Sequence, residues 1–396
     1  MKRSALLFGA LMLGAASAAN AQGLTMQMSN GWNFSFAGNV NAFWIYSHSK
    51  DAAGNTTGND LSFGTGLLPA FATFEAKGKE GNTDLGVHFG FAPQVEFGGH
   101  NASYFGTDAA GAQIDMRQVY LTAGGSWGTL TMGKELGLYQ RGNILTDATL
   151  LGVGVGGGGR GTALGRIGYG YLYTDFRPQL TYSTVAGKPA QFNIGIFDAL
   201  RVGTFTYAQL PRLEAELNYS SGNVKVFVNG AAQTMKDAPS GGNSLTSAGV
   251  GGGLVFSSSG FSVTASGFFA SGMGYLLQGD GIVGGANFDN EGVDGTNSAR
   301  KSFGYIGQLA YNPSGSSWII AGSFGENHLK QTDADKTASG SSASDGLKNR
   351  AIVGQITYKW TKSLRWVGEF GYVQNYVLGT EVNKTTQGSI GMMLFF

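Results

Sequence analysis

The 396-residue sequence has no cysteine, which excludes a scaffold of disulfide bridges and any metal site built on thiolates. Its four histidines are scattered, so no two of them have the spacing of a catalytic zinc motif. Only 13% of the residues are charged, and 26 basic residues nearly balance 25 acidic ones. Without an excess of one sign, the chain has no overall field that would attract nucleic acid. These shortages argue against a thiolate metalloenzyme and against a nucleic-acid-binding protein.

Long apolar runs are also missing. Beyond the first 21 residues no stretch of 18 apolar residues occurs, so the sequence predicts no transmembrane helix there. Glycine and phenylalanine are abundant instead, with 67 and 26 residues. Low charge combined with many glycines and aromatics is typical of a chain of many strands that meets an apolar medium.

The first 21 residues have the order of a secretory signal peptide. Lys2 and Arg3 form a basic start, and an apolar stretch follows from Ala5 to Ala15. That stretch is too short to span a bilayer, which argues against the alternative of a membrane-anchoring helix. Ala19-Asn20-Ala21 has the small-x-small pattern of a cleavage site. We therefore predict a signal peptide at 1–21, export, and one mature domain at 22–396.

The mature sequence alternates with a period of two. From Trp32 to Tyr46 the even positions are almost all apolar or aromatic, and a helix cannot keep such alternation over this length. The same pattern predicts sixteen strands, with ends uncertain by roughly 2–4 residues. They are 32–47, 67–78, 83–96, 113–124, 127–135, 177–185, 190–199, 211–220, 223–232, 247–257, 260–270, 302–312, 316–325, 349–360, 364–375 and 386–396.

The predicted connections are alternately short and long, the long ones including 48–66, 136–176, 233–246, 271–301 and 326–348. An antiparallel barrel has this order when one rim carries turns and the other carries loops. Long charged side chains lie at strand centres, and sixteen strands enclose a lumen too wide for side chains to fill. We therefore predict an all-β, transmembrane, antiparallel up-and-down β-barrel of about sixteen strands, with water inside and hydrocarbon outside.

The signal sequence, the sixteen-strand alternation and four segments resemble Gram-negative general porins. The segments are Asp115-Met116-Arg117-Gln118-Val119-Tyr120-Leu121, Gly128-Thr129-Leu130-Thr131-Met132-Gly133-Lys134, Pro178-Gln179-Leu180-Thr181-Tyr182-Ser183, and the terminal strand, whose alternating apolar residues are Ile390, Met392, Leu394 and Phe396. The resemblance implies an outer-membrane homotrimer for passive diffusion of small hydrophilic solutes. It also implies that the barrel-assembly machinery reads the terminal residues. We further expect contact with outer-membrane lipid and lipopolysaccharide, and no cofactor.

The longest connection, 136–176, is the candidate third loop, which we expect to fold against the inner wall. Opposed charges across a narrow, water-filled neck would create a transverse field that orients dipolar solutes. The alternative is that these side chains are solvated far from any neck. Because the loop is slightly basic, we also predict a bias towards anions. The candidate constriction residues are Lys77, Asp115, Arg117, Lys134, Glu135, Asp147, Arg160 and Arg166.

Other motifs in the sequence are weaker evidence of function. Gly152, Gly154 and Gly157 match a dinucleotide-binding pattern, but no βαβ unit surrounds them. His88 lacks the partners of a nucleophilic triad, and Asp289–Asp294 lacks the ligand spacing of an EF-hand. We therefore predict neither an enzyme nor a metal site. Two alternatives stay open: a substrate-selective porin with a saturable site, and an adhesin or receptor that acts through loops 271–301 and 326–348.

Overall fold

The computed structural model describes residues 24–28, 31–95, 114–155, 163–277 and 292–396. The predicted signal peptide lies outside them and stays a prediction. The strands are β1 Leu24–Gln27, β2 Asn33–Asp51, β3 Thr56–Gly64, β4 Phe71–Glu80, β5 Thr83–Pro93, β6 Ile114–Gly125, β7 Gly128–Leu136, β8 Phe176–Ser183, β9 Ala190–Phe197, β10 Tyr207–Ala208, β11 Arg212–Ser221, β12 Val224–Lys236, β13 Ser244–Ser258, β14 Phe261–Ser271, β15 Lys301–Tyr311, β16 Trp318–Lys330, β17 Asp345–Lys359, β18 Leu364–Val377 and β19 Thr380–Phe395.

These strands form a closed antiparallel barrel with sixteen strands in its wall. Two wall strands are interrupted: β3 and β4 both pair with β2, and β10 and β11 both pair with β12. The short β1 pairs only with the first residues of β2. Each remaining strand pairs with its neighbours in sequence, and β19 pairs with β2 to close the circle. The predicted up-and-down barrel is therefore confirmed.

The closing seam is completed by the C-terminal residue. The Phe396 amide donates to the Gly38 carbonyl at 3.0 Å, and the Gly38 amide donates to the Phe396 carbonyl at 2.9 Å. A Cβ at Gly38 would overlap the carbonyl oxygen of Phe71, so only glycine lets β2 approach β4 this closely. On β19, Ile390, Met392 and Leu394 share the outer face, as their alternation predicts.

The expectation of strictly alternating connections is wrong. β2 and β3 continue to a four-residue turn at 52–55, inside the predicted loop 48–66. β18 and β19 are joined by only Leu378 and Gly379. The predicted loops 233–246 and 326–348 shorten to 237–243 and 331–344, and the second of these contains a short helix, Asp333–Ser339. These strands are polar on both faces at the loop rim, so alternation gives no signal there.

The outer face has the composition of a surface that meets hydrocarbon. Large apolar side chains stay exposed at strand centres, among them Met132, Val228, Leu254 and Ile352. Aromatic side chains, such as Trp318 and Trp360, lie near the turn rim, and Trp44 stacks on Phe63 near the opposite rim. This apolar band flanked by aromatics is typical of outer-membrane barrels. In the described ranges, no helix has both the length and the apolar character to cross a membrane.

The inner face is more apolar than the sequence suggested. Phe43, Val367 and Met393 point inwards and pack with Val153 and Ala163 from the segment between β7 and β8. A second cluster joins Phe268, Leu329 and Leu347 of the wall to Tyr139 and Leu172 of the same segment. The expectation that water lines the whole inner wall is therefore wrong over β12–β19 and β2, where a loop covers apolar side chains.

Candidate channel constriction

The described parts of the third loop, residues 137–155 and 163–175, fold into the barrel. They contain a single helical turn, α1 Arg141–Ile144, and a 3₁₀ turn at Ala148–Leu151. Its hydrogen bonds reach the inner faces of β11, β12, β14–β19 and the break between β3 and β4. The described part of the loop thus follows one side of the wall, as predicted for an in-folded third loop.

Acidic and amide side chains of the wall accept the backbone N–H groups of the loop. Glu214 accepts from Leu138 and Tyr139 at 2.7 and 2.8 Å. Farther along, Glu369 accepts from Val153 and Gly154 at 2.6 and 2.8 Å. Between these two points, the side chains of Asn229 and Gln308 accept from Gln140 and Ala148. Because an unpaired buried N–H is costly, these acceptors fix the path of the loop.

The second wall strand is interrupted between β3 and β4 because residues there also bond to the backbone of the loop. The amides of Leu67 and Leu68 donate to the loop carbonyls of Gly152 and Leu150, at 2.8 and 3.1 Å. These amides therefore bond to the loop instead of to β2. The break at 65–70 is a docking point for the tip of the loop, so it is a feature of the channel interior.

Two predicted constriction residues, Asp147 and Arg166, lie on the loop but are buried. Asp147 accepts hydrogen bonds from the Tyr171 hydroxyl at 2.6 Å and from the Thr149 amide at 2.8 Å. Burial raises the pKa of the Asp147 carboxyl, although these bonds oppose the rise. Arg166 is 0% exposed and donates to the Ser323 hydroxyl and the Ala351 carbonyl, both at 2.6 Å. Both side chains hold the loop and do not line a water-filled passage.

Two of the arginines that make the loop basic, Arg141 and Arg166, are bound by the wall. The Arg141 guanidinium is ion-paired with Glu216, its Nε lying 3.0 Å from Oε2. Arg166 is bound to the wall as described above, and Arg160 lies outside the described residues. The basis for an anion bias from Arg141 and Arg166 is therefore lost.

The wall on the other side, β4–β8, carries charges in close pairs. Arg117 Nε lies 2.5 Å from Asp115 Oδ2, and its guanidinium stacks over Phe176. The Gln118 Nε2 amide donates to both carboxylate oxygens of Glu135, at 2.9 and 3.0 Å. These four polar residues lie near the start of the third loop, at the loop ends of β6 and β7.

Lys77 lies at a different level. Its Nζ is 2.6 Å from Glu75, and the lysine side chain is 65% exposed, four residues before the turn at Gly81. Glu75 also contacts His88 Nδ1 at 3.0 Å, and the His88 ring stacks on Tyr120 at 4.7 Å. Lys77 is thus on the lumen face, as predicted, but near the turn rim.

Residues 6–376 match the family model for Gram-negative porins. The chain belongs to the Gram-negative porin family. Comparison with solved structures gives the same fold. The outer-membrane channel DcaP of Acinetobacter baumannii has a TM-score of 0.70 at 14% identity, over 94% of this chain and 99% of that one. An anion-selective porin from Comamonas acidovorans has a TM-score of 0.62 at 14% identity, over 92% and 100%. A comparison with curated proteins found no significant match.

Family and architecture together identify an outer-membrane channel for small solutes. In this porin, one predicted constriction residue lies on the wrong face. Lys134 shares its side of β7 with Leu130 and Met132, which are exposed on the lipid face. Its Nζ donates to the Met116 carbonyl, and Met116 is also on the outer face. The prediction that Lys134 points into the lumen is therefore wrong.

A β-bulge in β6, the strand that pairs with β7, explains part of the error in the predicted lumen-facing residues. Gly90 pairs with Gln118 and Phe91 pairs with Met116, so Arg117 is an extra residue in β6. Strict alternation from Arg117 would place Leu121 inside, but Leu121 is exposed on the outer face and Tyr120 stacks on His88 inside. The bulge thus turns both Arg117 and Gln118 towards the lumen.

The role of Glu214, Glu216 and Glu369 in holding the loop is not among the predictions from the sequence. A local signal for one of them was present. Three acid–arginine pairs stand two residues apart in the sequence: Asp115 and Arg117, Asp175 and Arg177, and Glu214 and Arg212. Arg212 and Glu214 lie within one strand, where this spacing places both on one face. Glu369 is the only acidic residue of β18 and has no arginine two residues away, so its role is visible only when the loop is in place.

We predict that Glu369→Ala loosens the third loop. It leaves the buried amides of Val153 and Gly154 without an acceptor, at a cost of roughly 1–3 kcal/mol each. Single-channel recordings should then show altered conductance and more open-channel noise. Glu369→Gln keeps an acceptor oxygen and should have a smaller effect, and Glu80→Ala at the turn rim is the charge-matched control. Native conductance and noise in Glu369→Ala would show that this carboxylate does not anchor the loop.

Proposed function

We propose that the protein forms a water-filled passage for passive diffusion of small hydrophilic solutes and ions. The observation that carries this proposal is the one-sided attachment of the third loop. The loop bonds to β11, β12, β14–β19 and the break before β4, while β5–β8 carry polar side chains such as His88, Gln118 and Glu135 on their inner faces. The passage would lie between the loop and these strands.

The charges along this side suit dipolar solutes. Arg117 with Asp115 and Arg177 with Asp175 are ion pairs on neighbouring parts of the wall. Paired charges give a local field with little net sign, which favours solutes that exchange hydration for polar contacts. At physiological salt, fields act over about 8 Å, so only charges close to the passage count. We therefore propose weak ion selectivity, and a channel rather than an enzyme.

We also propose that the porin is a homotrimer. Structural relatives self-associate: one form of OmpT from Vibrio cholerae is described as a trimer, with a TM-score of 0.55 at 13% identity over 92% of this chain and 100% of that one. Large apolar side chains on the outer wall, such as Phe36, Phe74 and Phe396, lie close together near the turn rim. They offer a surface for packing against another subunit or against lipid.

The test of the proposed function is conductance in planar bilayers. Purified protein should insert in large, ohmic steps that close in groups of three. Absence of conductance from folded, inserted protein would overturn the channel proposal, and single closures would overturn the trimer. Concentration-dependent block by one solute would favour the alternative of a substrate-selective porin with a saturable site.

The ion pair of Arg117 and Asp115 generates a selectivity prediction. Arg117→Ser leaves the Asp115 carboxylate without its cation, so the zero-current potential across a roughly tenfold KCl gradient should shift towards cations. Lys134→Ser removes the same charge from the outer face of the neighbouring strand and should leave the potential unchanged. If both variants shift equally, or if Arg117→Ser does not shift, the pair is not close to the passage.

The C-terminal residues support a proposal about assembly. We propose that Ile390, Met392, Leu394 and Phe396 form the signal that the barrel-assembly machinery reads. Deleting Phe396 removes two seam hydrogen bonds and the ring contact with Phe36. It should lower the amount of folded protein in the outer membrane far more than it changes the conductance of assembled channels. Phe395→Ala, which keeps the terminal residue, is the control; equal surface levels of all three proteins would contradict the proposal.

A further inference from the structure

A buried ion pair joins two connections at the loop rim. The first connection, between β14 and β15, is described at 272–277 and 292–300, and the second joins β16 to β17 at 331–344. Arg300 Nε and Nη2 donate to the two carboxylate oxygens of Asp335, at 2.9 and 2.8 Å. Arg300 is 2% exposed and Asp335 is 9% exposed. A two-pronged pair of this kind fixes the orientation of the two connections as well as their distance.

Hydrogen bonds around the ion pair strengthen the same contact. Asp335 lies in the first turn of the short helix Asp333–Ser339, where its carboxylate accepts the Thr332 amide at 3.0 Å. The Asp335 amide donates to the Thr332 hydroxyl at 3.1 Å, and this hydroxyl donates to Asp294 of the first connection. Burial raises the pKa of the Asp335 carboxyl, but the hydrogen bond from Arg300 outweighs burial and the pKa is lowered. The pair is therefore charged at neutral pH.

Arg300 also holds the first half of its own connection. Its carbonyl accepts the Gly272 amide at 2.9 Å, and its amide donates to the Gly292 carbonyl at 3.1 Å. Gly272 has a φ of 65°, which glycine adopts without strain. A 3₁₀ turn, Gly274–Leu277, follows directly after Met273. The position of this turn thus depends on where Arg300 is fixed.

The 3₁₀ turn reaches the third loop near both ends of that loop. Near the end of the loop, the Tyr173 amide donates to the Leu276 carbonyl at 2.9 Å. Near its start, the link passes through Arg212, which donates to the Tyr275 hydroxyl at 3.4 Å and to Glu214 at 2.6 Å. Glu214 is the carboxylate that accepts the first amides of the loop.

Apolar packing joins the same elements. Met273 and Leu276 are buried in one cluster with Tyr139 and Leu172 of the third loop. Displacement of the 3₁₀ turn would expose this apolar surface to water, which is unfavourable. A continuous series of contacts therefore runs from the connection 331–344, through Arg300 and the 3₁₀ turn, to the third loop.

We propose that Arg300 and Asp335 are positioning residues of the constriction, which fix the third loop from the loop rim through the 3₁₀ turn Gly274–Leu277. This inference rests on the proposed channel function. Wall acceptors such as Glu369 hold the loop along the strands, whereas the ion pair holds it from above. Without the pair, the 3₁₀ turn is released and both ends of the third loop lose a support. The neck then fluctuates, although both side chains of the pair are buried away from the passage.

The test combines hydrogen exchange with single-channel recordings on the full-length protein. Arg300→Met keeps a long side chain and leaves the Asp335 carboxylate without its cation. Exchange in the peptide that contains Tyr173 should become at least about tenfold faster, because removing one partner of a buried ion pair shifts a local opening equilibrium by more than this factor. Brief closures of the channel should become more frequent by a similar factor.

Two further variants complete the comparison. Asp335→Asn keeps an acceptor oxygen for Arg300 and should have an intermediate effect in both measurements. Asp333→Asn is the matched control, because it removes the same charge from an exposed side chain of the same helix, 3.6 Å from Lys336. It should behave as the native protein does. If Arg300→Met does not assemble, Asp335→Asn against Asp333→Asn decides the question.

Other outcomes would overturn the proposal. Native exchange of the third loop in Arg300→Met and Asp335→Asn would mean that the pair does not position the loop. Equally faster exchange in β5–β7 would mean that the pair stabilises the whole barrel and has no particular role at the neck. Faster exchange of the third loop with native closures would mean that the neck does not depend on the pair. Absence of conductance in the native protein would instead overturn the proposed function, while the exchange measurements would still show whether the pair holds the loop.

Discussion

The interior of this porin depends on one constraint: a loop that crosses a barrel must find partners for its own backbone. The third loop bonds many of its N–H groups to its own carbonyls, but others, such as those of Leu138, Tyr139 and Val153, point to the wall. Wall side chains on β11–β18, such as Glu214, Asn229 and Glu369, accept them instead. The same need breaks the second wall strand, because Leu67 and Leu68 bond to the loop tip. The path of the loop, and hence the position of the passage, follows from where these acceptors stand.

Apolar packing between the loop and the wall stabilises the same position of the loop. Phe43, Val367 and Met393 would be unfavourable in a water-filled lumen, but the loop covers them with Val153 and Ala163. Acidic wall residues thus have two different roles. Glu369 is buried under the loop and serves as an acceptor, whereas Asp115 stays paired with an arginine near the passage. A charge inside the barrel is therefore not by itself a sign of a constriction residue.

The sequence predicts the barrel well because a lipid-facing strand must alternate over its whole crossing, and β5 and β19 show this clearly. It predicts the rim poorly, since β2 and β3 continue to 52–55 with polar residues on both faces. For single residues, the predicted face of the wall is wrong for local reasons. The bulge at Arg117 changes the alternation of β6, and Lys134 shares the outer face with Met132. Arg166 and Asp147 look like lumen charges in the sequence, yet tertiary contacts bury both.

The sequence distances spanned by the third loop carry a consequence for the order of folding. Gly154 accepts a hydrogen bond from Gln387, 233 residues later in the chain, and Val153 donates to Glu369, 216 residues later. Those partners lie on the last two strands, and the last strand also closes the barrel against β2. The tip of the loop therefore has no complete binding surface until the chain is almost entirely in place. We therefore expect narrowing of the lumen and closure of the wall to be late, coupled events of folding.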